Sequence, residues 1–191
     1  MLNPVSGVVV SFFAYAFFGW AWETVYCSLV EKHFERRGFL FGPICPIYGV
    51  GAMSAVLLLD WIQNPWLLFA AGALLSTAIE LIGAHILLVC FKRRWWDYSH
   101  IPGNYKGYIC VPATILFGLF SVACVQVIQP ALMQVLYVLA PHTLNLMAAS
   151  FLGLCFVDLI CSIDHELIGV LPLDGAKNRI MYELQNYMYS R

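Results

Sequence analysis

The stretch Trp66–Phe91, WLLFAAGALLSTAIELIGAHILLVCF, carries a single carboxyl group, Glu80, and runs straight into Lys92, Arg93 and Arg94. A helix needs about 20 predominantly apolar residues to cross a bilayer core. This run is long enough, and the basic block gives it a definite end. Working outward, the same grammar recurs. No Asp, Glu, Lys or Arg precedes Glu23, none lies between Arg37 and Asp60, and none lies between Lys106 and Asp158. Five spans are predicted on this basis: Val5 to Leu29, Pro46 to Ile62, Trp66 to Phe91, Cys110 to Ile128, and Thr143 to Ile163. All are expected to be helices, because lipid leaves open backbone groups unsatisfied and five segments cannot close a barrel. The turn at Gln63, Asn64 and Pro65 is tight. The connection from Gln129 to His142, bounded by Pro130 and Pro141, has room for a short interfacial helix.

Composition agrees. Over 191 residues the chain is 61% hydrophobic and 11% charged, with a mean hydropathy of +0.78, whereas soluble domains carry about 25% charged residues. A net charge of −1 excludes the broad basic face that nucleic-acid binding requires. The seven cysteines are odd in number and form no C-x-x-C pair, so neither a disulfide framework nor a zinc knuckle is expected. The start, Met-Leu-Asn-Pro, lacks the basic residues of a secretory signal, and its apolar run is taken as a span.

The ten Lys and Arg residues set an orientation. Lys32, Arg36 and Arg37 follow the first span, Lys92, Arg93, Arg94 and Lys106 the third, and Lys177, Arg179 and Arg191 the fifth, so all fall on one side. Short cytoplasmic loops retain such charges. The expected architecture is an all-α, polytopic cell-membrane protein of the bacterial inner or plasma membrane, N-terminus out and C-terminus in. It comprises a transmembrane domain, 1–163, and a cytoplasmic tail, 164–191, in which Ile180, Leu184 and Met188 mark an amphipathic helix. An internal similarity runs through the first four spans. Glu23 precedes Phe34-Glu-Arg-Arg37 and Glu80 precedes Phe91-Lys-Arg-Arg94 at the same offset, and each unit then reaches a Gly-x-Ile-Cys element, Gly42 to Cys45 and Gly107 to Cys110. A parallel two-hairpin repeat closed by a fifth helix would produce this pattern; coincidence combined with the charge rule would too.

Glu23, Glu80 and Asp158 are the acids inside spans. A charge at the bilayer centre costs about 2.5–3.5 kcal/mol on insertion scales, so such residues face protein, water or one another. Ser11, Tyr15, Gly19, Glu23 and Cys27 recur every four residues, as do Gly72, Ser76, Glu80 and Ala84, which puts both glutamates on small-residue faces pointing into the bundle. The three acids are expected to share one cavity open to the cytoplasm; the alternative is that each is a packing device. The first loop, Arg37-Gly-Phe-Leu-Phe-Gly-Pro-Ile-Cys-Pro-Ile-Tyr-Gly49, contains Cys45 and Tyr48 and is too apolar for an exposed linker, which suits a buried segment lining a cavity. In the second, Arg93, Arg94, Trp96, Asp97, Tyr98, Ser99, Asn104 and Cys110 place guanidinium forks beside polar groups at headgroup depth, where they could grip a phosphate or carboxylate. They could equally pair with Glu23 and Glu80. The chain has no G-x-x-x-x-G-K-[ST], no H-E-x-x-H and no G-x-S-x-G. No cofactor is expected, and enzymatic chemistry rests only on Cys45 or Cys110 with His100.

Glu23, the Arg37–Ala52 stretch RGFLFGPICPIYGVGA, Glu80, and Arg94-Trp-Trp-Asp-Tyr-Ser99 with Pro102, Asn104 and Gly107-x-Ile-Cys110 resemble the bacterial family called putative ABC-transporter type IV, or CmpB-like permeases. The resemblance covers about the first 130 residues and continues weakly through Asp158. It implies a small multi-pass protein that acts with a separate ATPase chain, in keeping with the missing phosphate-binding loop. The chain departs from the family pattern at Arg36, where Asn is common, at Tyr108, where Arg is usual, and at Leu88, which replaces a second acid and puts ion coupling through that acid in doubt. Three readings stay open. One is a permease or transport subunit binding a cation or proton at Glu23, Glu80 and Asp158. Another is a lipid-headgroup or anion-binding protein or enzyme using Arg37, Arg93 and Arg94. The third is a scaffold with no ligand, its acids being packing devices; in any of the three the chain could form a homo-oligomer.

Overall fold

The computed structural model describes residues 4–170. Five helices form the body: α1, Pro4–Glu31; α2, Pro46–Leu59; α3, Pro65–Phe91; α4, Val111–Val138; and α5, Pro141–Val170. Four of them, α1, α3, α4 and α5, are long and apolar enough to cross a membrane, which makes the chain an all-α, multi-pass membrane protein. The predicted spans match these four helices closely at the first and third. The amphipathic stretch around Ile180, Leu184 and Met188 lies outside the described residues, while Asp164 to Val170 continues α5.

The second predicted span differs in an instructive way. Helix α2 has 14 residues, about 21 Å at ~1.5 Å per residue, against a core of about 30 Å. Its start explains the shortfall. The Cys45 backbone N–H bonds the Ala16 carbonyl at 3.0 Å, about 22 Å back along α1 from Glu31 at ~1.5 Å per residue. The first loop therefore descends beside α1 before α2 begins, and Cys45, in extended conformation ahead of Pro46, caps the helix at that depth.

Helix α4 is also unlike its forecast. The chain does not break near Ile128 but continues through a π turn at Cys124–Ile128, where the Gln129 N–H bonds the Cys124 carbonyl. Pro130 has no N–H and its ring crowds the carbonyl four residues back; the wider turn just before it removes that clash. Ahead of the turn α4 packs on α3, through Thr114 to Thr77 at 3.0 Å. Beyond it α4 reaches α1, where the Tyr15 hydroxyl donates to Gln129 at 2.8 Å and Leu136 joins Val10, Leu144 and Ala148.

The closest helix pairs, α1 with α2 and α3 with α4, use one device. A side chain of each helix lies over a glycine of the other: Tyr48 on Gly19 and Phe12 on Gly49; Ser121 on Gly72 and Phe69 on Gly118. Without lipid-excluding hydrophobic force, close van der Waals approach at small residues is what holds membrane helices together.

Candidate functional site

Both basic-end loops turn back toward the glutamate of the helix before them. Helix α1 ends at Lys32 in left-handed conformation, and the Glu35 N–H returns to Ser28 at 2.9 Å. Arg37 then donates through Nε to Glu23 Oε1 at 3.3 Å and lies 3.9 Å from Glu35. Farther on, the Phe41 and Gly42 N–H groups donate to the two oxygens of Asp158 on α5, at 2.8 and 2.7 Å, and the Ser162 hydroxyl bonds the same carboxylate at 3.1 Å. Gly42 allows this approach, since a Cβ there would stand 2.8 Å from Asp158 Oδ2. The loop is thus pinned to α1 at Glu23 and Ala16, and to α5 at Asp158.

The second loop starts from Lys92, also left-handed, and closes on a two-stranded antiparallel hairpin, β1 (Asn104–Tyr105) with β2 (Ile109–Cys110). Asn104 holds the turn, donating to Ser99 and Ile101 carbonyls and accepting from the Gly107 N–H at 2.9 Å. Asp97 accepts the Ser99 N–H at 2.9 Å, and that bond, with Arg94 3.7 Å away, holds its carboxyl below the usual carboxylate range. Trp96 donates to the Tyr108 carbonyl at 3.0 Å. These contacts aim Tyr98 inward, and its hydroxyl donates to Glu80 Oε1 at 2.9 Å. Burial, then the Glu80 charge, pushes the Tyr98 phenol well up, so it stays a proton donor across the ordinary pH range. Phe39 stacks against Phe91 and Trp95, with centroids 5.1 and 5.5 Å apart, and so ties the two loops together.

Between the loops and helices lies a cavity of about 1100 Å³. Glu23 and Glu80 both line it, with Cys45, Tyr48, Trp96 and Tyr98. Arg37, Arg93 and Arg94 stand at its basic end. Toward the opposite end it reaches Tyr15 and Cys124, which with Met53 form an apolar floor. Beyond that floor the helices are filled by the clusters of Val10 with Leu136 and of Ala55 with Leu68. A separate pocket of about 280 Å³ lies beyond the floor, around Pro4, Met53, Gln129 and Tyr137.

Of the acids named from sequence, Glu23 and Glu80 come together, whereas Asp158 is engaged by the first loop and does not line the cavity. Asp97, Ser99, Asn104 and Cys110 likewise lie outside it, and the first three close their own loop. The arginines are occupied by acids: Arg37 by Glu23 and Glu35, Arg94 by Asp97, and Arg93 by Glu166 at 3.3 Å. Glu166 and Glu35 also line the cavity, and neither was singled out from the sequence. Glu166 falls in the polar run Asp164-His-Glu166, which looks like the end of a span; the pairing of Arg93 with Glu166 shows helix five still packing on the second loop.

The Cys45 thiol, 4% exposed, points to Glu23 Oε2 at 3.9 Å. Held at the depth of Ala16 and shut off from water, it is shielded from polar reagents, and a buried structural thiol of this kind is inert as a nucleophile. Cys45 is expected to resist iodoacetamide at pH 8 in the folded protein and to react once the chain is unfolded in SDS. Peptide mass spectrometry reads this directly, and fast labelling of the folded protein would contradict it.

A family model described as Putative ABC-transporter type IV matches residues 10–163, and the chain belongs to that family. No curated protein and no solved structure matches.

Proposed function

We propose that this member of the family is the membrane subunit of a transporter, with a substrate site in the cavity that Glu23 and Glu80 share, acting with a separate ATPase chain. The observation that carries the proposal is the shape of that cavity. It is continuous with the basic end, has a buried carboxyl group at depth, and stops at an apolar floor. A vestibule closed on one side is what alternating access requires of a resting state. The side chains placed there are those that intramembrane transport sites use.

In this reading all ten basic residues face the cytoplasm, the N-terminus lies outside, and the protein resides in the bacterial cell membrane. Helix α2 and the descending first loop together make the second of five crossings, since the loop supplies the depth that the helix lacks. The two basic-end loops, each returning a side chain to a glutamate and each ending on a capping cysteine ahead of a proline, are the remnant of a duplicated helical hairpin.

Cells carrying the Glu23→Gln, Glu80→Gln double variant are expected to lose the uptake or efflux that the wild-type protein confers. The measurement compares solutes inside and outside the cells, at equal amounts of inserted protein. An unaltered solute profile would refute the transport assignment.

A further inference from the structure

Glu80 differs from the other acids of the cavity in one respect. Glu23, Glu35 and Glu166 each face an arginine. Glu80 has no Lys, Arg or His nitrogen within ion-pair distance among the described residues. Its residue is 5% exposed. Tyr98 satisfies Oε1, and Oε2 is buried with no hydrogen-bond partner among the described residues. Helix geometry sets this atom about 16 Å from the Phe91 end of α3, near mid-span. A buried carboxyl oxygen left without a partner is destabilising, and in a cavity it marks where the positive centre of a ligand belongs.

The surroundings narrow the ligand. The cavity that Glu80 lines has aromatic and aliphatic walls: Trp22 meets Phe120 edge to face at 6.0 Å, Tyr48 meets Phe117 at 6.4 Å, and all four belong to its lining. Aromatic faces attract cations and cost little to desolvate against. Several lining side chains of α1 and α3, Phe18, Val25, Ile82 and Ile86 among them, are themselves largely exposed, so the cavity is open along an apolar side as well as at a basic mouth. Its volume of about 1100 Å³ is slightly more than the ~300–1,000 Å³ of sites for drug-sized molecules. Of the arginines at the mouth, Arg37, Arg93 and Arg94 are already paired with acids that an anion would have to displace, and Arg36 is turned to the Leu40 carbonyl and the Phe41 ring. A small hydrated cation would find one free carboxyl oxygen and apolar rings.

From this juxtaposition of an unpaired buried carboxyl group with aromatic walls, we infer that the cavity takes a lipophilic organic monocation, whose positive centre meets Glu80 and whose apolar groups contact the rings. The inference rests on the transport reading for its purpose, but its test does not. Protein in nanodiscs of zwitterionic lipid is titrated with tetraphenylphosphonium, and with tetraphenylborate as the anion of matching shape; empty nanodiscs correct for partitioning, and tryptophan fluorescence reports binding.

Saturable binding of the cation is expected, at least tenfold tighter than that of the anion, and weakened at least tenfold by Glu80→Gln. Equal affinity for the two ions, or equal affinity of wild type and Glu80→Gln for the cation, overturns the inference. The two-ion comparison uses wild-type protein alone, so it decides the matter even if the variant fails to insert. Cation selectivity without a transport defect in the double variant would leave this inference standing and sink the transport assignment. A transport defect with no cation selectivity would do the reverse.

Discussion

Asp158→Ala is expected to lower the unfolding midpoint in detergent by about 8 °C, the equivalent of about 3 kcal/mol in a chain of this size. The carboxylate accepts backbone N–H bonds from Phe41 and Gly42, at 2.8 and 2.7 Å, and a hydroxyl bond from Ser162. Hydrogen bonds to a charged acceptor contribute about 1.5–3 kcal/mol each, and two of these anchor a loop otherwise built of Gly38, Phe39, Leu40 and Pro43. Losing them frees the segment that sets Cys45 on Ala16. The second readout is therefore chemical: Cys45, protected in the wild type, should become alkylated by iodoacetamide in the folded variant. Asp158→Asn keeps one good acceptor and turns an NH2 toward the other N–H, so an intermediate loss is expected. An unshifted midpoint together with a still protected Cys45 would show that the loop holds its place without Asp158.

That role for Asp158 was not legible from the sequence, and the reason is general. An acid within an apolar run announces that it must be satisfied, not by what. Glu23, Glu80 and Asp158 look alike on that criterion, yet one pairs with an arginine, one with a tyrosine, and one with two backbone amides from a loop more than a hundred residues away. Small-residue periodicity did separate them in part. The four-residue spacing around Glu23 and Glu80 marks faces that meet other helices, and both residues do line one cavity.

The loops show the same limit. Asp, Ser and Asn are the residues that bind ligands and also the residues that close turns, so Asp97, Ser99 and Asn104 could not be sorted before their bonds were seen. Hydropathy measures how apolar a segment is but not which way its backbone runs. Residues 38–45 are apolar, so their descent beside α1, and the shortness of α2 that follows from it, were hidden within a run that resembles an ordinary span. The long helices were readable because charge gaps and basic blocks depend on position along the chain alone. The π turn in α4 had a single local signal, Pro130, and proline marks a helix end more often than a widened turn.

The descent of the first loop also makes the α1 and α2 contact unusually demanding, and Gly49→Ala is expected to expose this. A Cβ on Gly49 would stand 2.7 Å from Phe12 Cε2, 2.8 Å from Cδ2 and 2.9 Å from the Phe12 carbonyl oxygen. The ring can turn, but the carbonyl belongs to the α1 backbone, so the helices themselves must part. Overpacking of this kind costs about 1–3 kcal/mol, and here the displacement would also disturb the neighbouring contact of Tyr48 on Gly19. Because α2 forms one wall of the cavity, the damage should reach function: the variant should lose thermal stability by about 6 °C, for the same conversion of free energy to midpoint, and bind tetraphenylphosphonium less tightly. Gly51→Ala, two residues along the same helix, is the control. Nothing stands within 4 Å of a Cβ there, and its midpoint should match the wild type within the ~0.5 kcal/mol expected of an uncrowded site. Equal midpoints for the two variants would mean that α1 and α2 are not held at the separation on which the cavity depends.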